Sequence, residues 1–302
     1  MYPEALSIGC AVPQPAFDAS VHSVFQSAAN LRLVKGGKLL TLVGSGEADL
    51  PQGIRLNTPA DFSFAGLHVG EPVACRDNLL RIDSLSLTVD LRKARIWKCD
   101  LPALNVDLTN PAVVTAWRSV WLALNMRQIQ SNAEIVAENL FLSDETMHAG
   151  VPRMAGKAMQ DLVNATRQYD LTAASAAQGL IGLGSGLTPN GDDLLVGYLA
   201  GLWCTVRDRN ERIQLLSNLG KTITHHSKLT NDISRAYLYH ASQGQVSNLL
   251  VNLAEAINMG GNPNRLLDIA ETTMRVGHTS GMDAVTGLLM GLTAWTDPSN
   301  PN

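Results

Sequence analysis

The sequence predicts an α+β fold in which an N-terminal antiparallel β-barrel or sandwich is followed by an α-helical domain. The chain has 302 residues, enough for two domains that each bury a core. It is 45% hydrophobic and 17% charged, a globular composition that excludes disorder as its main state. Near residue 107 the hydrophobic pattern changes from short strand-like runs to helical periodicity. We therefore predict a β-rich domain over residues 1–107 and a helical domain over residues 108–302.

The β-rich prediction depends on short apolar runs separated by turn signals such as Gly-Gly, Gly-Ser-Gly and Thr-Pro. These runs are LRLVKGG, KLLTLVGSG, GIRLN, LHVGEPVACRDNLLRID and SLSLTVDL. The sequence alternates with period two around KLLTLVG and SLSLTVDL, as expected of half-buried strands. Many short strands at nearly regular spacing are typical of a small antiparallel barrel or sandwich. No catalytic cluster stands out in this half.

The helical half begins at Asn110 and Pro111, because asparagine caps helices and proline at the first helical position loses no needed N–H. Apolar residues then recur three and four positions apart from Val113 to Leu124, which gives one apolar stripe. The same periodicity predicts further helices over residues 132–140, 152–168, 170–181, 191–206, 211–228, 230–243, 246–258, 263–275 and 281–295.

Charge and hydropathy exclude two classes of partner, nucleic acids and membranes. The net charge of −4 and the pI of about 6.0 lack the basic excess of a nucleic-acid-binding protein. The apolar stretches are too short for a membrane span, and MYPEALSIGC does not have the pattern of a signal peptide. The four cysteines contain no CxxC pair, which disfavours a disulfide framework or a zinc site. We expect a cytoplasmic protein.

The most informative segment is the glycine-rich junction GLGSGLTPNGDD over residues 182–193, which joins two predicted helices. Clustered glycines imply positive φ angles or a close backbone approach. N–H groups ahead of a helix N-terminus form an anion-sized concavity, although a tight interhelical turn is the alternative. The segment is neither a Walker A loop, since no Lys-Ser/Thr pair follows, nor a Rossmann fingerprint, since a helix precedes it. The candidate phosphate-binding residues are Gly184, Ser185, Gly186 and Thr188.

Asp192 and Asp193 end this junction in the predicted first helical turn, where the helix dipole favours acidic residues in any case. Because adjacent helical residues point about 100° apart, only one of the two faces the loop squarely. That carboxylate would hold Mg²⁺ with substrate oxygens, so both residues are candidate metal ligands, and the other would orient Thr188 or cap N–H groups. A carboxylate repels phosphate, so the site needs a metal, a cationic neighbour or a carbamoyl or other amide substrate.

A second junction, GHTSGMD over residues 277–283, has a related pattern. Asp193 and Asp283 are each followed by glycine four and eight residues later. Glycines four apart on one helix face allow two helices to approach closely. We infer that two related loop-to-helix elements lie side by side, so that their N-termini converge on one pocket.

The second junction also supplies a candidate histidine. His278 lies between Gly277 and the hydroxyl residues Thr279 and Ser280, where a proton donor or hydrogen-bond donor to an oxyanion fits. A buried histidine with satisfied hydrogen bonds is the alternative. The catalytic candidates are His278, Asp192, Asp193 and Asp283, and Thr279 and Ser280 join the candidate substrate-binding residues.

Arg235 is the candidate anion clamp of the helical half. It lies in the segment TNDISRAYLYHASQG, and its planar guanidinium suits a carboxylate or a phosphate group. A surface ion pair with Asp232 or Glu211 is the alternative.

Three segments of the helical half resemble the AllH-like family, which was first catalogued as a domain of unknown function. They are GLGSGLTPNGDDLLVGYLAGL, TNDISRAYLYHASQG and VGHTSGMDAVTGLLMGL. The β-rich half is similar in its LLTLVG segment and in Ala94-Arg-Ile-Trp97. The resemblance implies a subunit of oxamate carbamoyltransferase in allantoin breakdown, which converts oxalurate and phosphate into oxamate and carbamoyl phosphate. It also implies FdrA-like and other subunits as partners, but it assigns no catalytic residue.

This reaction is acyl transfer, which needs a phosphate cradle, donors for an oxyanion and a clamp for a carboxylate. The expected ligand is a small anion: carbamoyl phosphate, phosphate or oxamate. One alternative is a non-catalytic subunit that binds a ligand or stabilises an assembly, including a homo-oligomer. Another is a Mg²⁺-dependent hydrolase that uses Asp192, Asp193 and Asp283.

Overall fold

The computed structural model describes residues 4–141 and 149–295. The contacts divide the chain into two compact units, Met1–Cys99 and Asp100–Asn302. Among the described residues, the first unit holds a nine-stranded sheet and the second unit is helical. The α+β class and the order of its two parts are therefore confirmed.

The sheet of the first unit is mixed and curled into a half-barrel. Its strand order is β8-β7-β6-β2-β3-β4-β5-β1-β9, and the pairs β1–β9 and β4–β5 are parallel while the other pairs are antiparallel. A bridge between Glu4 and Asp90 joins the chain before β1 to the end of β8. The strands are β1 (Ala5–Gly9), β2 (Phe17–Val24), β3 (Ala28–Leu33), β4 (Leu39–Val43), β5 (Gly53–Leu56), β6 (Pro72–Arg76), β7 (Leu79–Ile82), β8 (Leu87–Asp90) and β9 (Arg95–Trp97).

The interior of the sheet is filled by side chains that alternate along the strands. In β2, for example, Phe17, Ala19 and Val21 are buried and the residues between them are more exposed. Strand β4 is buried at every position, which means that both of its faces are covered. Leu31 and Ile54 have no exposed surface, so this unit has a hydrophobic core of its own.

The second unit starts as the sequence predicts. The side chain of Asn110 accepts a hydrogen bond from the Ala112 N–H and caps the first helix, with Pro111 in its first turn. No helix among the described residues is long and apolar enough to cross a membrane. The helices are α1 (Pro111–Gln130), α2 (Val151–Arg167), α3 (Ala173–Gln178), α4 (Asn190–Cys204), α5 (Asn210–His226), α6 (Asp232–Ala241), α7 (Asn248–Met259), α8 (Pro263–Met274) and α9 (Ser280–Thr293).

Two of the helices predicted from periodicity differ in the structure. The segment 132–140 forms only a 3₁₀ turn over Ala137–Phe141. Its backbone N–H groups at Ala137 and Glu138 donate to the side chains of Gln128 and Asn125 on α1. These side-chain oxygens take the place of the carbonyl acceptors that a continuous helix would provide. The segment predicted over 170–181 is helical only within α3.

Helices α4 and α9 form the centre of the second unit. Every residue of α4 except Trp203 is buried. A Cβ added at Gly197 would lie 1.8 Å from the Ala284 oxygen, and one added at Gly201 would lie 2.5 Å from the Leu288 oxygen. These contacts rise in the same order along both helices, so the helices run parallel and their N-termini share one end. The prediction that the two loop-to-helix elements lie side by side is confirmed.

Candidate functional site

The first junction is shaped by glycines with positive φ angles. Gly182, Gly184 and Gly186 have φ values of +74°, +109° and +93°. A Cβ at Gly184 would lie 2.4 Å from the Asn190 side-chain oxygen, whereas nothing lies within 4 Å of one at Gly186. Gly184 is therefore needed for a close approach to the start of α4, and Gly186 is needed only for its backbone conformation.

The same junction contains a run of backbone N–H groups that meet no acceptor among the described residues. Within residues 4–141 and 149–295, the N–H groups of residues 184–188 donate no hydrogen bond. Ser185, Gly186 and Leu187 are exposed residues. Such a run directly before a helix N-terminus suits an anion.

The two junctions contact each other through side chains. The hydroxyl oxygens of Thr188 and Ser280 lie 2.7 Å apart. The Asn190 amide donates to Asp283 Oδ2 at 2.8 Å and to Thr279 Oγ1 at 3.4 Å. Four residues predicted separately, Thr188, Thr279, Ser280 and Asp283, therefore form one cluster. Sequence reasoning missed Asn190, although its place between proline and glycine at the start of the second helix was a signal.

Asp192 is a fully engaged buried carboxyl group. It is 1% exposed, and it accepts hydrogen bonds from the Gly182 N–H at 2.9 Å and from the Thr230 hydroxyl. Burial raises the pKa of Asp192, and the hydrogen bonds from Thr230 and Gly182 oppose this rise. Asp192 therefore fixes the glycine loop to the segment before α6, and Thr230 is a second residue that sequence reasoning missed.

Asp193 differs from its neighbour in its hydrogen bonding. It is 9% exposed, and its buried Oδ2 atom accepts no hydrogen bond from any described residue. Burial raises the pKa of Asp193 well above its usual value, and the nearby Asp283 raises it further. The hydroxyls of Ser280 and Thr188 oppose this rise, which places them close to the same carboxyl group.

Asp283 completes a pair of buried carboxyl groups at the shared helix N-termini. It is 1% exposed, and burial raises its pKa to about 7 in spite of the hydrogen bonds from Asn190 and Thr279. Glu134 adds a further increase through charge repulsion. Because the pKa of Asp283 is about 7, this group is partly protonated at neutral pH.

The structure does not group the acidic residues as a ligand set around one metal position. In the part of the chain that is described, no group of three or more His, Cys, Asp and Glu side chains could hold a metal ion. Both oxygens of Asp192 already accept hydrogen bonds, so a metal there would displace Thr230 or the Gly182 N–H. That Asp192 and Asp193 bind Mg²⁺ stays a prediction.

His278 and Arg235 lie outside this cluster of hydrogen bonds. His278 is exposed in the turn before α9, next to Thr279. Arg235 pairs with Asp232 at 3.0 Å and donates to the Ser227 carbonyl at 3.2 Å. Its side chain is 42% exposed, so the ion pair with Asp232 foreseen as the alternative is present at the protein surface.

Two family models match the chain, one on each structural unit. Residues 4–96 match the AllH family N-terminal domain. Residues 180–292 match the model described as oxamate carbamoyltransferase subunit AllH, and this range contains both glycine-rich junctions. No solved structure matches the chain. Together the two models cover about two thirds of the sequence, and the chain belongs to the AllH family of oxamate carbamoyltransferase subunits.

Proposed function

We propose that this chain carries a substrate-binding site of an oxamate carbamoyltransferase, between its two glycine-rich junctions. The enzyme would convert oxalurate and phosphate into oxamate and carbamoyl phosphate, together with FdrA-like and other subunits. The observation that carries the proposal is the meeting of two helix N-termini, where the donors of residues 184–188 lie next to a buried carboxyl pair. Family membership supplies the reaction class.

The donors of the first junction suit the phosphate group. The N–H groups of residues 184–188 and the positive end of the α4 dipole favour an anion. Carboxylates close by would repel phosphate if they were fully ionised. The raised pKa of Asp283, about 7, reduces this repulsion because the group is partly protonated near neutral pH, and the raised pKa of Asp193 acts in the same direction.

The remaining candidates have roles on the organic part of the substrate. Thr279, Ser280 and His278 are donors for the carbonyl oxygen as negative charge develops on it. Arg235 would bind the carboxylate of oxamate by exchanging its surface partner Asp232, and an exposed pair of this kind is weak enough to exchange.

Ligand-induced stabilisation tests this proposal. Phosphate, carbamoyl phosphate and oxamate are each added with and without Mg²⁺, to the chain alone and to the chain assembled with its partner subunits. A ligand at about 100 times its Kd adds roughly 2.7 kcal/mol to the unit that it binds, which raises the melting temperature by several degrees. We expect a shift with all three ligands.

A matched pair of glycine variants localises the site. Gly186→Val strains a residue with φ of +93° in the candidate loop, and Gly36→Val strains one with φ of +86° in the first unit. Neither added side chain begins in a crowded position. Loss of the ligand shift in the first variant alone supports the site. The same shift in both variants, or no binding to the assembled enzyme, would instead favour an assembly role.

A further inference from the structure

Asp193 Oδ2 is a buried carboxyl oxygen of the site that accepts no hydrogen bond from the described residues. The neighbouring carboxyl groups are satisfied, since Asp192 accepts from Gly182 and Thr230 and Asp283 accepts from Asn190. Asp193 is 9% exposed and its Oδ2 atom meets no donor among the described residues. A buried polar atom without a partner is unfavourable, and a ligand that supplies the missing donor removes that penalty.

The surroundings restrict which donor fits. The hydroxyls of Thr188 and Ser280 lie close to the Asp193 carboxyl group and 2.7 Å from each other, so this carboxyl group lies where the two junctions meet. The N–H groups of residues 184–188, in the same junction, take the anionic part of a ligand. The ligand that fits both features has an anionic group and a neutral N–H donor a short distance from it. A carbamoyl compound such as oxamate or carbamoyl phosphate has this combination.

We propose that Asp193 recognises the amide NH₂ group of the carbamoyl ligand, through a hydrogen bond to Oδ2. This inference rests on the function proposed above and deepens it by naming the residue that selects the substrate. It makes Asp193 a specificity determinant, because an analogue with a methyl group in place of NH₂ leaves the buried oxygen without a partner. Sites built for a hydrogen bond reject such analogues strongly.

Two pairs of small anions isolate this hydrogen bond. Oxamate and pyruvate differ only by NH₂ against CH₃, and carbamoyl phosphate and acetyl phosphate differ in the same way. Affinities are measured by titration calorimetry at pH 7 and low temperature on the chain and on the enzyme assembled with its partner subunits. We expect the wild-type protein to bind each amide at least about 10-fold more tightly than its methyl analogue.

Variants of Asp193 separate recognition from a structural role. Asp193→Ala removes the acceptor, so we expect the amide preference to fall to about 1 while the affinity for pyruvate stays within about 2-fold. Asp193→Asn keeps an acceptor oxygen, and we expect it to retain part of the preference. Asp268→Ala, a change at an exposed aspartate on α8, is the control and leaves all affinities unchanged.

Three results would overturn the inference. Equal affinity of the wild-type protein for oxamate and pyruvate would show that Asp193 does not recognise the amide group. It would leave the proposed function intact. If Asp193→Ala and Asp193→Asn both lose affinity for oxamate and for pyruvate to the same extent, Asp193 has a structural role. Failure of every ligand to bind the wild-type chain and the assembled enzyme would reject the proposed function together with the inference.

Discussion

Asp192 and Asp193 are neighbours in the first turn of α4, yet they meet different chemistry. Side chains of adjacent helical residues diverge by about 100°, so only one of them can reach Thr230 and the Gly182 N–H. The sequence predicts that the two aspartates have different roles, but it does not say which residue has which role. The assignment depends on where the segment before α6 packs, and local sequence does not contain that information. In the structure, Asp192 accepts the hydrogen bond from the loop N–H group. The Oδ2 atom of Asp193 is buried and accepts no hydrogen bond from the described residues.

Removing the hydroxyl that contacts Asp192 should destabilise the second unit. Thr230→Val leaves a buried carboxyl oxygen without its donor, so we expect a loss of about 1–3 kcal/mol in the free energy of unfolding, measured with urea. Thr272→Val is the matched control. The Thr272 hydroxyl donates to the backbone carbonyl of Asp268 on the exposed face of α8, and a change within about 0.5 kcal/mol is expected there. Equal effects at both sites would contradict the capping role.

The buried pair also predicts the pH dependence of stability. The pKa of Asp283 is about 7 in the folded protein against 3.8 for the free group, so between these values the folded state binds the proton more tightly than the unfolded state. The free energy of unfolding therefore falls as pH rises from about 4 to 7, by up to about 1.4 kcal/mol per pH unit for this group. The raised pKa of Asp193 acts in the same direction.

Asp283→Asn isolates this contribution. The variant cannot ionise at residue 283, and its side-chain oxygen still accepts from the Asn190 amide. Urea unfolding at several pH values from 4 to 8 should give a flatter profile for the variant than for the wild-type protein. Identical profiles for the two proteins would show that Asp283 titrates as an ordinary carboxyl group.

At the scale of elements, the pairing of α4 with α9 was predictable because its signal is in the spacing of glycines. Gly197 and Gly201 on one helix and Gly287 and Gly291 on the other all face the partner backbone. The segment 132–140 was not predictable in the same way. Its apolar spacing is helical, but the side chains of α1 capture its backbone donors, and such long-range competition is invisible to periodicity.

Closing the gap between these two helices should be strongly destabilising. Gly197→Ala places a Cβ 1.8 Å from the backbone oxygen of Ala284, which cannot move without separating the helices. We expect a loss of about 3 kcal/mol or more in thermal or urea unfolding. Gly261→Ala is the control, because nothing lies within 4 Å of its added Cβ. Tolerance of alanine at residue 197 would mean that the helices are farther apart than in the structure.

At the scale of the whole molecule, composition and the change in periodicity were enough for the α+β class, but not for the pairing of the strands. Strands β1, β2 and β9 were not identified, because β2 alternates with small and polar residues and β9 has only three residues. The parallel pairs were not identified either. A period of two is the same in parallel and antiparallel strands, so direction depends on contacts between distant parts of the chain.

The sequence predicted which segments form the candidate site, but not all of the residues that contact one another within it. Glycine-rich junctions identified Thr188, Ser280 and Asp283, which the structure brings into one cluster. The contributions of Asn190 and Thr230 were not identified, because amide and hydroxyl side chains are common at helix starts and gain a role only through tertiary contacts. The roles of His278 and Arg235 depend on a bound ligand, so they stay predictions.

The division into two units predicts that ligand binding stabilises only one of them. Each unit has its own core, so calorimetry should resolve two unfolding transitions. Leu31→Ala removes a fully buried side chain from β3. It should lower the free energy of unfolding of the first unit by about 2–5 kcal/mol and shift only that unit's transition to a lower temperature. Oxamate at about 100 times its Kd should raise the free energy of unfolding of the second unit by roughly 2.7 kcal/mol and shift only that unit's transition to a higher temperature. If oxamate instead raises the transition that Leu31→Ala lowers, the ligand binds the sheet unit and the junctions are not the site.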